Sequence, residues 1–223
     1  MTIRPIPMEP HVVDFRYRLD DEEPENPESP DDGKKKAETL PGPFQAIQQA
    51  LYKSRTVLIF GEINQKVAQD VSAQLLAYGS VSEDPITIVI NSPGGHVESG
   101  DTIHDMIRFV KPRVRIVGTG WVASAGVHIF LGAPKVDRFC LPNTRFMIHQ
   151  PAGGVGGRAS DIAIEAQEII KMRKRINEEI ARETGQPLSR VEVDTDRNFW
   201  MSAEEAREYG LVTHIIEKID DLK

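Results

Sequence analysis

Two short apolar runs constrain this chain more than any other feature. Residues 56–60 (TVLIF) and 86–90 (ITIVI) are of strand length, and the second is β-branched at every position. Strands of that kind have no obvious face for water, so they belong in a parallel sheet covered on both sides by helices. Between them, Asn64 reads as the N-cap of a helix with Val67, Val71, Leu75 and Tyr78 at helical spacing, predicted to end at Gly79. After the second run the turn Asn91-Ser92-Pro93-Gly94-Gly95 opens a helix with Val97, Gly100, Ile103, Ile107 and Val110 on one face, stopping at Pro112. Residues 114–117 form a further strand, which feeds residues 118–126 (GTGWVASAG) and a short helix from Ser124 to about Leu131. Two short strands, 139–141 and 145–148, precede a flexible loop over 149–157 (HQPAGGVGG). A long helix from about Ser160 to Glu183 is expected to turn Ile162, Ala166, Ile169, Ile176 and Ile180 inward. The capping box Ser202-Ala203-Glu204-Glu205 opens a last helix ending at Gly210, followed by a strand over 211–216. Strands alternating with helices, with no repeat of fixed period, make this an α/β chain with a mostly parallel sheet.

At 223 residues the chain can bury one sizeable core behind a tail. Residues 1–40 carry 11 acidic and 6 basic side chains, so the tail holds −5 of the total charge of −7. Its segment 20–32 (DDEEPENPESPDD) cannot bury enough apolar surface to offset its ordering entropy, and 1–40 is expected to be a disordered acidic tail ahead of a domain at 41–223. The stretch 11–19 (HVVDFRYRL) is a weak candidate for partner binding. An acidic total without a basic stripe argues against nucleic-acid binding. No apolar run approaches a membrane span and no signal-peptide core is present, so a soluble cytoplasmic chain without membrane contact is expected. A single cysteine, Cys140, excludes an internal disulfide framework and reads as a small buried hydrophobe.

Two turns follow strands and open helices, one at Gly94-Gly95 and one at Ser124-Ala125. Both expose backbone N–H groups at a helix N-terminus; if the strands are neighbours, those amides converge on one point, as an oxyanion hole requires. Ser124 then has two readings: a space-filler among small residues, or a nucleophile beside that hole. A nucleophilic serine needs a base. His149, ending a strand and opening a glycine-rich loop, is one candidate; His128, one helical turn after Ser124, is another, although it lies in the apolar stretch VHIFL. His96, His104 and His214 read as surface or packing residues. No His/Cys/Asp group has metal-ligand spacing. The run GGVGGRAS lacks the Gly-Lys-Ser/Thr ending of a phosphate-binding loop, so any ATP requirement belongs to a partner.

Taken together the motifs INSPGG (90–95), ASAG (123–126), LPNTRFMIHQP (141–151), TGQP (184–187), DTDR (194–197) and MSAEEAREYGLV (201–212) occur in one order over residues 44–217. In that order they resemble the proteolytic subunit of the Clp protease, ClpP, a self-compartmentalising serine peptidase. The resemblance implies a crotonase/ClpP-like spiral of repeated ββα units with a protruding handle helix. It implies Ser124 as nucleophile, His149 as general base, Gly95 and Ala125 as oxyanion-hole amides, and Gly94, Gly153, Gly154 and Val155 as substrate-binding backbone, the loop adding a strand to an extended peptide. It also implies two stacked heptameric rings joined by the handle helix, no cofactor of its own, and an AAA+ unfoldase such as ClpX or ClpA that spends the ATP on unfolded protein substrates.

Three departures stand out. The third triad position, an aspartate in the family, falls on Asn198, with Asp194 and Asp196 nearby as possible substitutes. The strand positions that usually carry aromatics for ATPase docking are Thr87 and Val89. The N-terminal 40 residues do not match the usual axial-loop pattern. The leading expectation is a Clp-type serine peptidase subunit; the rival is a feebly active structural or regulatory ring subunit that needs a second ClpP paralogue. A third reading, an acyl-CoA enzyme of the crotonase type, shares the fold but not the Ser124 and His149 motifs.

Overall fold

The computed structural model describes residues 42–154 and 156–222; the expectations for the tail and for Val155 lie outside the described residues. Helix α1 (Pro43–Lys53) leads into β1 (Thr56–Phe60), α2 (Gln65–Val81), β2 (Ile86–Ser92), α3 (Val97–Phe109), β3 (Val114–Ala123) and α4 (Ala125–Leu131). Then come β4 (Arg138–Cys140), β5 (Arg145–Ile148), α5 (Ala159–Thr184), α6 (Leu188–Asp194), β6 (Phe199–Met201), α7 (Ala203–Tyr209) and β7 (His214–Ile215).

The sheet runs β1-β2-β3-β4-β7, all parallel, and it forks at β3. The first half of β3 pairs with β4, Ile116 opposite Arg138 through Gly118 opposite Cys140. Its second half pairs in parallel with β5, Trp121 opposite Arg145 through Ala123 opposite Met147, and β6 closes antiparallel on β5. The fork coincides with a register shift against β2 between Ile90 and Ser92. Gly120 makes it possible: its φ is +60, and a Cβ there would meet the Asn91 side chain at 2.9 Å. The strand predicted at 114–117 therefore continues through GTGWVA, because a bulge let the ladder change partners rather than end.

Other expectations shift for identifiable reasons. Helix α2 passes through Gly79 to Val81; Gly79 is a packing glycine, its open side 3.6 Å from Pro112, not a C-cap. On β1 and β2 one face is wholly buried, but the other leaves Leu58 and Phe60 exposed and Thr87 and Val89 half-buried, so the described residues cover these strands on one side only. Helix α5 buries only Asn177, Glu179, Ile180 and Thr184; Ile162 and Ala166, expected inward, are exposed, Ile169 and Ile176 are half-buried, and the first part projects as a handle. The stripe is periodic, but no partner among the described residues receives it. Helix α6 and strand β6 carry too few periodic positions to stand out in the sequence, and the last strand is shorter than 211–216. Among the described residues no helix is long and apolar enough to cross a membrane.

The main core is a hydrophobic cluster between α2, α3, α4 and the sheet, including Val57, Ile59, Leu75, Ile88, Ile103, Ile116 and Phe130, with a small second cluster at Val117, Phe139 and Ile216. Cys140 is part of the main cluster, and burial pushes its thiol up to about 12. Arg138, fully buried, is its polar fastening. Its guanidinium donates to the carbonyls of Leu131 and Ala133 at 3.0 and 2.8 Å, satisfying groups left open at the end of α4, and pairs with the Glu183 carboxylate near the end of α5. Burial alone would raise the Glu183 carboxyl, but the bonding and charge of Arg138 and Arg108 together hold it below its ordinary value.

Glu183 thus contributes stability that is present above its unfolded pKa, about 4.3, and lost as pH falls through its lower folded value. Glu183→Gln is expected to destabilise the fold by about 3–5 kcal/mol at neutral pH, since Arg138 is left buried and unpaired. The acid limb of a Tm-against-pH series should also flatten below about pH 4; an unchanged limb would show that the pair does not govern it.

Candidate active site

The fork in the sheet decides what meets at its end. Ser124 follows the last residue of β3, His149 follows the last of β5, and Asn198 precedes the first of β6. Because β3 and β5 run parallel and β6 runs antiparallel to β5, all three reach the same edge. There His149 Nε2 lies 2.7 Å from Ser124 Oγ, and His149 Nδ1 lies 3.0 Å from Asn198 Oδ1. An oxygen facing Nδ1 calls for the proton on Nδ1, leaving Nε2 free to accept from the serine hydroxyl.

Ser124 has φ +55, one of two non-glycine residues among those described with positive φ. This strained turn between β3 and α4 tilts its side chain out of the helix, so the residue caps α4 without a side-chain hydrogen bond of its own. The sequence contains no Gly-x-Ser-x-Gly signature, so the strain was not legible in it; the small neighbours Ala123, Ala125 and Gly126 were the available trace. The turn is pinned by Ser124 N–H donating to Met147 O at 2.9 Å.

Gly94 packs directly on this turn. A Cβ at Gly94 would lie 2.6 Å from the Ser124 Cβ, 2.8 Å from Ala123 O and 3.1 Å from Ala125 N, and its φ is +98. Gly95, at φ +148, is equally crowded by the Ile63 backbone. The Gly94 amide donates to Ser92 Oγ, which donates in turn to Gly61 O, while Gly94 O accepts from Ile63 N. Among the described residues the amides of Gly95 and Ala125 donate to no other group. Ser92 was missed by sequence reading; its hydroxyl shapes the turn that leaves those amides unspent.

An apolar pocket adjoins Ser124, lined by Val97, Ile148, Pro151, Ile176 and Ile180, with His128. Of the two histidines left open by spacing, only His149 meets Ser124. His128 turns to Asp101 and Glu179 instead. His96 caps α3, and His214 is exposed and stacks on Phe139. His104, expected as a surface or packing residue, is buried against Glu179. Burial alone would lower its imidazole and raise the Glu179 carboxyl, but Glu179 with Asp105 raises the first, and His104 with His128 and Arg182 lowers the second.

Neither acidic substitute reaches His149. Asp194 accepts from Tyr209, and Asp196 accepts from Gln150 and Arg173. These contacts hold the segment before Asn198: Gln150 N–H donates to Thr195 O at 2.6 Å, and the buried Thr195 hydroxyl donates to Asn177 on α5. Gly153 and Gly154 lie in the exposed loop after His149, with open space beside Gly154. This arrangement can activate a hydroxyl by proton transfer and hold developing negative charge on two amides.

If the Gly94 contact sets the serine turn, Gly94→Ala should slow covalent labelling of Ser124 by a fluorophosphonate at least about 100-fold, since displacements near 1 Å cost that much. Labelling at the parental rate would show that the turn does not depend on it.

Comparison with known proteins gives one result throughout. Residues 42–219 match the family described as Clp protease. The chain is 58% identical over 172 residues to the ATP-dependent Clp protease proteolytic subunit 3 of Rhizobium johnstonii, covering 77% of this chain and 89% of that one. It is 55% identical over 208 residues to proteolytic subunit 2 of Gluconobacter oxydans, covering 92% of each. Among solved structures it is similar to ClpP1 from Listeria monocytogenes, at 62% identity and TM-score 0.73, covering 79% of this chain and 99% of that one. An Asn-to-Asp mutant of the same protein gives TM-score 0.75 with the same identity and coverage.

Proposed function

The chain belongs to the Clp protease family, as a proteolytic subunit with serine-peptidase activity, and we propose that Ser124, His149 and Asn198 carry that chemistry. The observation that carries this reading is the unbroken relay from Ser124 Oγ through His149 to Asn198 Oδ1. Ser124 Oγ bonds to the substrate carbonyl carbon as its proton passes to His149 Nε2. The carbonyl oxygen gains negative charge and is met by the Gly95 and Ala125 amides. The C–N bond then breaks, and the imidazolium returns its proton to the departing amine, leaving an acyl-serine. Water, deprotonated by His149, attacks the acyl carbon and frees Ser124. The apolar pocket receives the side chain before the scissile bond. Gly94 approaches the substrate backbone on one side, and Gly153, Gly154 and Val155 pair with it as an added strand.

No cofactor is assigned to the chain itself. ATP is spent by an AAA+ unfoldase such as ClpX or ClpA, which delivers unfolded protein substrates in the cytoplasm. The exposed Leu58 and Phe60, beside Thr87 and Val89, offer it an apolar though aromatic-poor face. The exposed Ile164 and Ile170 on α5 suit assembly of two stacked heptameric rings.

Ser124→Ala should lower turnover of a short fluorogenic peptide at least about 10³-fold; equal turnover would remove Ser124 as nucleophile. Asn198→Asp should raise kcat by about 10- to 10³-fold with little change in KM, because the added charge acts on an imidazolium that forms only in the transition state. No gain would mean that the amide is not the brake.

Asn198 also favours a second arrangement, in which this subunit contributes structure to rings shared with a fully equipped ClpP paralogue. Native mass spectrometry after co-expression should then show mixed rings; exclusively separate rings would exclude it.

A further inference from the structure

Behind the active-site helix lies a group of side chains that peptide hydrolysis does not use. His104 on α3, His128 on α4 and Glu179 on α5 are each buried to about 5% exposure. Each offers one ligand atom, and those atoms lie within 4.8 Å of one another. The two imidazoles stack at 4.6 Å between centroids, 14° from parallel, so they present themselves side by side. His104 Nε2, His128 Nε2 and Glu179 Oε1 are buried without a hydrogen-bond partner. Glu179 Oε1 is only 2.6 Å from His104 Nε2, but out of line for a directed hydrogen bond. Each of the three thus faces a charged neighbour, Asp101 Oδ1 in the case of His128, without a directed hydrogen bond, which is uncommon in a hydrogen-bonded interior. Their chemistry is that of ligands.

From this geometry we infer that His104, His128 and Glu179 form a binding site for a divalent transition-metal ion of the zinc type. Asp101 Oδ1 lies 2.6 Å from His128 Nε2, and Arg175 grips its carboxylate with two bonds of 3.0 and 2.6 Å. Two imidazoles and one carboxylate are a three-residue ligand set that leaves the fourth position of a tetrahedral ion open. The nitrogen ligands favour zinc-like ions over magnesium or calcium. The surroundings are also those of a ligand histidine: His104 Nδ1 meets the Asp105 carboxylate at 3.0 Å, which orients the ring and leaves Nε2 for the metal. Metal–ligand bonds near 2.0–2.1 Å set tetrahedral ligand atoms about 3.3 Å apart, so the widest separations close in by roughly 1.5 Å at most while the 2.6 Å His104–Glu179 contact opens.

The site ties three helices at one point. His128 is one turn along the helix that begins after Ser124, and Glu179 adjoins Ile180, a wall of the apolar pocket. Metal binding therefore fastens the base of the handle helix to the helix of the proposed nucleophile.

The test uses the full chain, stripped with a chelator and then titrated with zinc chloride. One zinc per chain by elemental analysis, with a rise in Tm, is expected. Glu179→Gln and His104→Gln should each weaken binding at least about tenfold and remove the Tm rise. Should either fail to fold, Asp105→Asn keeps every ligand but loosens His104, and is expected to weaken zinc affinity about 10- to 100-fold. No stoichiometric zinc, or binding unchanged in these variants, overturns the inference and leaves the cluster an ion pair. Binding lost in His149→Ala but kept in Glu179→Gln overturns it equally, since the metal would then sit at the catalytic histidine. Metal content and Tm are read without any peptidase assay, so failure here and failure of the proposed hydrolysis are separate results.

Discussion

The contact between Gly94 and the Ser124 turn is the constraint on which the rest depends. A non-glycine residue at φ +55 is held only when its surroundings over-determine it. Here the Ser124 amide is bound to β5 through Met147 O, while Gly94 fills the space against its Cβ. Gly94 is itself fixed at both backbone groups, by Ser92 and by Ile63. The chain from Gly61 through Ser92 to Gly94 thus runs across the ends of β1 and β2 to the end of β3. Strain at the serine is balanced by the parallel sheet, and without that sheet the residues quoted as a motif would not meet.

The same reasoning extends to the fork in β3. A single strand that changes partners midway places two of its neighbours, β4 and β5, at different heights. One half carries Arg138, which fastens α4 and α5 from below; the other carries His149 to the serine. The end of α4 and the end of α5 share one guanidinium, and the middle of α4 meets α5 again one turn earlier through the His128 and Glu179 cluster. Helix α5 is therefore anchored over its last two turns and otherwise projects. That division explains why its apolar stripe is periodic yet uncovered.

How much of this the sequence disclosed follows from the range of the interactions involved. The strands β1 and β2, the Asn64 and Ser202 caps and the ends at Gly185 and Gly210 are local, governed by residues within a turn of one another, and they could be read. The extension of β3 could not, because it depends on Gly120 making room for the Asn91 side chain across the sheet. The buried cluster of His104, His128 and Glu179 escaped for a similar reason: its members come from three helices and show no ligand spacing along the chain. His149 was distinguishable from His128 only as a strand end, and the resemblance to ClpP carried the choice. Asn198 was located by that resemblance alone, since β6 and α6 give almost no periodic signal.

Asn198 shows which part of a catalytic relay is geometry and which is charge. Its oxygen sets the imidazole tautomer as a carboxylate would, at the same kind of distance. What it lacks is the attraction between an anion and the imidazolium, worth about 4 kcal/mol for unit charges near 4 Å at an effective dielectric constant of 20, or roughly 10³ in rate. That figure applies to a site removed from water. In the single chain Asn198 is exposed and His149 only half-buried, so solvent screens whatever charge stands there and the amide gives up less than it would in a closed triad. Any assembly that buries this edge would raise the local field and widen the gap between amide and carboxylate. The deficit of the asparagine is therefore a property of the assembled environment as much as of the residue.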